Sequence, residues 1–133
     1  MKYLLDTNTC IRFISGRAPK LPLKFLEIDD ADISVSAITK AELFYGSAKS
    51  QTPAVSRAKQ DEFLSRFQSL VFDDIASDIY GAIRAKLEVR GTPIGQLDLL
   101  IASIALVHDL ILVTHNVSEF SRVPGLKLED WEQ

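Results

Sequence analysis

Short, continuously apolar runs alternate with segments of helical periodicity along this chain of 133 residues. The first apolar run covers residues 3–5 and stops at Asp6, and the apolar residues that follow recur at helical spacing as far as Gly16. This order predicts a strand, a turn and a helix, because buried parallel strands are apolar on both faces whereas helices show a period of about 3.6 residues.

The same alternation continues to the end of the chain. Small and polar residues collect at residues 46–56 and predict a loop, and Asp74 is expected to cap the helix that follows it. The pattern predicts further strands at residues 32–36, 70–72, 110–113 and 126–128, and further helices at residues 24–28, 38–48, 54–69 and 75–87, around Asp98, and briefly after Asn116.

These elements favour a single α/β domain over residues 1–133. Strands that alternate with helices indicate a mostly parallel sheet covered on both faces, and a chain of this length leaves a second domain without a core of its own. In such folds the ligand cleft lies beyond the carboxyl ends of the strands.

Composition narrows the class of protein. The chain is 47% hydrophobic and 25% charged, and it contains no apolar run of about 18 residues, so no membrane span is expected. The apolar start is too short for a signal peptide, which makes the cytoplasm the expected location. Cys10 is the only cysteine and is expected to be a small buried packing residue. The net charge of -3 argues against a broad electrostatic contact with nucleic acid, but carboxylates that hold cations attract phosphate.

Acidic residues in apolar surroundings are the candidate chemical groups. Asp98 lies in a run that is apolar on nearly every helical face, Asp6 and Glu42 lie in similar settings, and Asn116 and Glu119 follow an apolar strand. A buried carboxylate without a partner is costly, and a divalent cation is the usual remedy when several carboxylates cluster. If these segments meet at one edge of the sheet, they form a metal site.

Each of these residues also has a purely structural interpretation. Asp6 belongs to the residue types that favour helix N-caps. Residues 39–42 and 116–119 resemble capping boxes. Asp98 lies near a helix start, where the helix dipole stabilises a negative charge. His115 is interpreted as an exposed turn residue.

Two other classes of function follow from these interpretations. One is a metal-free interaction domain whose acids only cap helices. The other is a phosphatase-like hydrolase that uses Asp6 as a covalent nucleophile, although such enzymes usually carry a second aspartate where this chain has Asn8.

The order of the motifs adds a resemblance to this pattern. The chain resembles PIN-domain ribonucleases from end to end, and within them the VapC toxins of type II toxin-antitoxin pairs. The residues that carry the resemblance are residues 4–8, Glu42 with Gly46, residues 93–95 with Asp98, residues 113–114 with Asn116 and Glu119, and the ending at residues 125–131.

The resemblance implies a PIN-like three-layer α/β/α domain with a short, mostly parallel central sheet, and it implies an active site. Asp6 and Asp98 match the aspartates that bind one or two Mg²⁺ or Mn²⁺ ions, and Glu42 matches the glutamate that helps to hold the metal and orient water. Asn116 stands where many PIN domains have a fourth aspartate, and Glu119 then supplies the missing charge. An amide is a weaker metal ligand than a carboxylate, so the second ion depends on Glu119.

The family also implies supporting residues, a reaction and partners. Thr7 and Thr114 would orient the ligands by hydrogen bonds. The expected reaction is metal-dependent endonucleolytic cleavage of RNA, such as a transfer RNA, which inhibits translation and growth. The expected partners are a VapB-like antitoxin, an RNA substrate and a second copy of the chain, in a homodimer and a toxin-antitoxin hetero-oligomer.

Overall fold

A five-stranded parallel sheet forms the centre of the computed structural model, which describes all 133 residues. All four pairings between neighbouring strands are parallel, as the alternation of strands and helices predicted. The order across the sheet is β3-β2-β1-β4-β5. The strands are β1 (Tyr3–Leu5), β2 (Ile33–Ser36), β3 (Gln68–Leu70), β4 (Ile111–Val113) and β5 (Lys127–Glu129).

Helices cover both faces of this sheet. No helix is both long enough and apolar enough to cross a membrane. The helices are α1 (Thr7–Ser15), α2 (Lys20–Glu27), α3 (Ala37–Ala48), α4 (Pro53–Leu64), α5 (Asp74–Val89), α6 (Gln96–Val107) and α7 (Val117–Phe120), with a 3-10 turn at Asp30–Asp32.

Alternation of side chains along the strands divides the apolar residues into two cores. Tyr3 and Leu5 of β1 face the core that includes buried residues of α1 to α4. Leu4, between them, faces the core that includes buried residues of α5, α6 and α7. Because side chains alternate with a period of two along a strand, one three-residue strand supplies both cores. The expected α/β/α architecture is therefore confirmed.

Aromatic rings fill much of the first core. Phe25 of α2 is the centre of this cluster, with its ring centroid 4.5 Å from Phe13 and 5.3 Å from Trp131. Phe63 and Phe67 complete it at 6.3 and 6.2 Å. Aromatic pairs at these separations stabilise a core beyond the area that they bury.

The connections between strands place a crevice beside β1. The chain runs from β1 outward to β2 and β3, then crosses back to β4 on the other side of β1. The strand order therefore reverses at β1, and in open parallel sheets such a reversal opens a crevice at the carboxyl ends of the strands. Asp6 follows β1 and Thr114 follows β4, so both lie at this crevice.

The segment between α4 and α5 differs from the prediction. The helix predicted over residues 54–69 ends at Leu64, and β3 lies two residues earlier than predicted. Phe67 accounts for the difference, because it belongs to the aromatic core and its N–H donates to Leu64 O in a turn that ends the helix. Phe72 was predicted in the strand but instead packs against Tyr80 of α5.

Three further boundaries also differ. The predicted loop at residues 46–56 is reduced to residues 49–52, because α3 ends at Ala48, where its helix was predicted to end, and α4 begins at Pro53. The helix predicted at residues 24–28 begins at Lys20, since Pro22 falls in the first turn, where its missing N–H has no helical partner to lose. Asp73, and not Asp74, caps α5 by accepting a hydrogen bond from the N–H of Ala76.

We expect Phe25→Ala to lower the free energy of unfolding by about 3 to 5 kcal/mol, because it removes a buried ring from the centre of the aromatic core. Leu26→Ala is the matched control on the same helix, since its side chain is 85% exposed. Urea unfolding followed by circular dichroism measures both variants. Equal losses in the two variants would contradict this account of the core.

Candidate active site at the carboxyl edge of the sheet

Asp6 is fixed at the start of α1 by two hydrogen bonds. Its Oδ1 accepts from the N–H of Thr9 at 2.7 Å, which makes Asp6 the N-cap of the helix. Its Oδ2 accepts from the hydroxyl of Thr114 at 2.6 Å. Burial raises the pKa of Asp6 above its ordinary value, and the hydrogen bonds from Thr114 and Thr9 partly offset that rise. The capping interpretation of Asp6 is thus confirmed, but capping uses only one of its two oxygens.

Glu42 reaches the same crevice from α3. Its Oε1 accepts from the hydroxyl of Thr7 at 2.7 Å, and that hydroxyl also lies 3.0 Å from Thr39 Oγ1. The N-cap of α3 is Ser36, whose hydroxyl accepts from the N–H of Thr39 at 3.1 Å. The capping-box interpretation of residues 39–42 is therefore wrong, and Glu42 is free to face the crevice.

Asp98 lies in the first turn of α6, half-buried among other acids. Its pKa is raised to about 7, first by burial, then by the neighbouring carboxylate of Glu119, and further by the charges of Glu42 and Asp6. The other three acids predicted from the sequence therefore all act electrostatically on Asp98.

Glu119 is held by two donors from separate segments. Its Oε1 accepts from the N–H of Gly95 at 3.0 Å, and its Oε2 accepts from the side-chain amide of Asn116 at 2.6 Å. Asn116 precedes α7 but makes no capping hydrogen bond with its side chain. The capping-box interpretation of residues 116–119 is therefore also wrong, because the two side chains bind each other.

Gly95 is a residue of this pocket that sequence reasoning missed as a site residue. A Cβ added at Gly95 would lie 3.4 Å from Asp98 Oδ2 and 3.7 Å from Glu119 Oε1. Its backbone angles suit any residue, and both distances are ordinary van der Waals contacts, so Gly95 takes part in the pocket through its backbone N–H, which donates to Glu119. The available signal was a glycine directly before the helix that carries Asp98.

The donor set fits a hard divalent cation. The charged side chains that meet in the pocket are all carboxylates, with no histidine or cysteine among them, and such sites suit Mg²⁺ or Mn²⁺ better than zinc. The acids are not yet arranged as ligands, because no three of them take positions that would hold one ion. Burial and then repulsion raise the pKa of Asp98, and positive charge between the acids would relieve the repulsion.

A groove of about 590 Å³ opens beside these acids between α1, α3 and the start of α6. Glu42 forms part of its wall, and Ile11, Tyr45 and Leu97 expose apolar surface to it. Lys49 lies on the same wall, with its Nζ 4.7 Å from the centre of the Tyr45 ring. The groove thus joins apolar and cationic surface to the acidic pocket.

Two other residues singled out from the sequence lie where they were predicted. His115 is exposed, with its Nδ1 2.9 Å from Asp130 Oδ2. Cys10 is fully buried in the first core, and burial raises its pKa well above the ordinary value.

Comparison with known families decides which class of protein carries this pocket. The model of the PIN domain matches residues 3–126. The chain belongs to the PIN domain family. The match extends from β1 to the residue before β5, so it includes every acid of the pocket.

Relatives within this family are close over the full length. The tRNA(fMet)-specific endonuclease VapC of Salmonella typhimurium is 40% identical over 131 residues, which cover 98% of each chain. Ribonuclease VapC2 of Rickettsia felis is 41% identical and covers all of both chains. The chain is therefore a PIN-domain ribonuclease of the VapC type, which confirms the resemblance of the motifs.

Solved structures agree with this assignment. The structure of DNA-bound VapBC from Salmonella typhimurium matches with a TM-score of 0.93 at 40% identity, over 98% of each chain. VapBC2 from Rickettsia felis, bound to a DNA fragment from its promoter, matches with a TM-score of 0.92 at 38% identity, over 98% of this chain and 99% of that chain.

The pKa of Asp98 leads to a prediction about stability and pH. Because the pKa rises from 3.8 to about 7 on folding, the folded protein retains a proton that the unfolded chain releases, and Asp98 opposes folding increasingly as the pH rises through this interval. We expect Asp98→Asn to raise the melting temperature of metal-free protein, by an amount that grows from about pH 4 to about pH 7 and is then constant.

Thermal unfolding in EDTA at several pH values measures this effect. Asp78→Asn on the exposed side of α5 is the control, because that carboxylate lies in solvent. A gain that does not change with pH would show that folding does not raise the pKa of Asp98.

Proposed function

We propose that this chain is the toxin of a type II toxin-antitoxin pair and cleaves structured RNA with one or two Mg²⁺ or Mn²⁺ ions held by Asp6, Glu42, Asp98 and Glu119. The observation that carries the proposal is that these four acids lie on four separate segments and that, beside its burial, the other three raise the pKa of Asp98. Asn116 completes the pocket, and Thr7 and Thr114 support it.

The side chains of the pocket have separate tasks in this proposal. Asp6 and Asp98 bind the cation most directly, and hydrogen bonds to Thr114 and Thr9 keep Asp6 in a single position. Glu42, held by Thr7, orients the attacking water toward phosphorus. A bound divalent cation favours attack by water and stabilises the charge that develops on the phosphate oxygens.

The two alternative functions receive less support from this geometry. Asp6 is a poor candidate for a covalent nucleophile, because it is only 3% exposed and both of its oxygens accept hydrogen bonds. A role for the acids in capping alone accounts for Asp6 but not for Glu42 or Glu119, which cap no helix.

The substrate and location follow from the relatives and the composition. One relative is named for its action on tRNA(fMet), and we propose a transfer RNA or another structured RNA as the substrate. Its cleavage would inhibit translation, and we propose the cytoplasm, where translation occurs, as the location of the protein. We also propose that residues 1–133 act as one catalytic domain.

The partners are proposed on similar grounds. Structural relatives are VapBC complexes, and we propose a VapB-like antitoxin as the partner of this chain. The groove beside Glu42 suits a segment of that antitoxin, because its exposed apolar side chains can bury apolar residues of a peptide. A homodimer of the toxin within a toxin-antitoxin hetero-oligomer is the assembly that we expect.

We expect Asp98→Ala to reduce the rate of RNA cleavage by more than about 100-fold, because the metal charge that it helps to hold supplies several kcal/mol to the transition state. Asp78→Ala, which removes an exposed carboxylate on α5, is the control and should cleave normally. Sequencing of RNA 5′ ends after expression of each variant measures cleavage and identifies the target. A folded Asp98→Ala protein with normal cleavage would rule out the proposed site.

We expect Tyr45→Ala to weaken binding of the cognate antitoxin by about 10-fold or more, as the loss of an aromatic anchor in a groove typically does. Tyr45 is 67% exposed on the groove wall, whereas Val89 is 89% exposed at the end of α5, outside the groove, so Val89→Ala is the control. Isothermal titration calorimetry with purified antitoxin compares the two. Equal affinities of both variants would place the antitoxin elsewhere.

A further inference from the structure

We infer that Asn116 is a positioning residue that connects the two halves of the acidic pocket, and that it acts through Glu119 and Thr114 instead of binding the cation itself. This inference rests on the proposed function, because it assigns a task to Asn116 within the same pocket. In this role the amide of Asn116 donates a hydrogen bond to Glu119, which an ionised aspartate at this position would not do.

The side chain of Asn116 faces Glu119 with its donor. The amide nitrogen lies 2.6 Å from Glu119 Oε2, and an amide nitrogen that donates a hydrogen bond does not bind a cation. The other carboxylate oxygen of Glu119, Oε1, accepts a hydrogen bond from the N–H of Gly95 at 3.0 Å. Both oxygens of Glu119 are therefore restrained, one by the loop after β4 and the other by the residue before α6.

The backbone of Asn116 reaches the opposite acid. Its N–H donates to Thr114 Oγ1 at 3.0 Å, and the Thr114 hydroxyl donates to Asp6 Oδ2 at 2.6 Å. Because the hydroxyl oxygen accepts from Asn116, its single proton points toward Asp6. One residue therefore fixes Asp6 with its backbone and Glu119 with its side chain.

A carboxylate at this position would lack the necessary donor. Aspartate has the shape of asparagine but carries only acceptors when ionised, so Asn116→Asp would place two acceptors face to face. The amide therefore fits the contact with Glu119, which in turn replaces the charge that the family pattern places at this position.

A double-mutant cycle on Mn²⁺ affinity tests the inference. We expect Asn116→Ala to weaken Mn²⁺ binding by about 10- to 100-fold, as loss of a residue that orients a ligand typically does. In a Glu119→Ala background the same substitution should have no further effect, because the group through which Asn116 acts is already absent. Ser118→Ala, exposed on the same short helix, is the control. Calorimetry with Mn²⁺ alone gives all the affinities.

The outcomes separate a positioning residue from a ligand. Equal losses in both backgrounds would show that Asn116 acts on the cation directly, and no loss in either would show that it has no task in binding. Each of these results would overturn the inference.

A metal-free measurement keeps the inference distinct from the proposed function. We expect Asn116→Asp to lower the melting temperature in EDTA at pH 8, and added Glu119→Gln to raise it by more than Glu119→Gln alone does in the wild-type protein, because the new amide then donates to the new carboxylate. If wild-type protein bound no Mn²⁺, the proposed function would fail while this exchange still tested the contact. A rise no larger than that in the wild-type protein would overturn the inference.

Discussion

Repulsion between carboxylates is the interaction on which the arrangement of this site depends. The parallel sheet holds the four acids close together in spite of it. Asp6, Glu42, Asp98 and Glu119 come from four segments that the strand reversal at β1 brings to one edge. Neutral donors hold three of these acids in position: two threonine hydroxyls, an asparagine amide and backbone N–H groups. Because none of these donors is a cation, the charge of the pocket stays uncompensated, and a divalent ion is the partner that such a site attracts. The pocket thus combines fixed geometry with unsatisfied charge.

Strong local signals in the sequence predicted most of the fold. The apolar runs at β1 and β4 and the acids that follow them were predictable because a strand buried on both faces excludes polar residues. The end of α4 and the position of β3 were not, because Phe67 belongs to a distant aromatic core and its neighbours give no local indication of that contact. Boundaries that depend on tertiary packing are absent from local periodicity.

The candidate site could likewise be predicted only in part from the sequence. Carboxylates in apolar surroundings were visible one by one, but which donors would hold them was not. Thr39, for example, looked like the start of a capping box, whereas Ser36 caps the helix and leaves Glu42 for Thr7. Gly95 was not recognisable as a site residue, because its contribution is a backbone N–H that donates to Glu119 from another segment. Contacts across the crevice are properties of the assembled sheet and not of any single segment.

Asp6 caps α1 and, under the proposed function, also binds the cation. Its carboxylate faces the pocket through one oxygen and begins α1 through the other, and loss of such a cap typically costs about 1 kcal/mol. A variant without this side chain would therefore lose stability as well as activity. If such a variant were harmless in a cell, the loss of activity could not be separated from the loss of folded protein. Asp98 caps no helix, so under the proposed function an inactive variant for crystallisation or for capturing intact RNA is better built there.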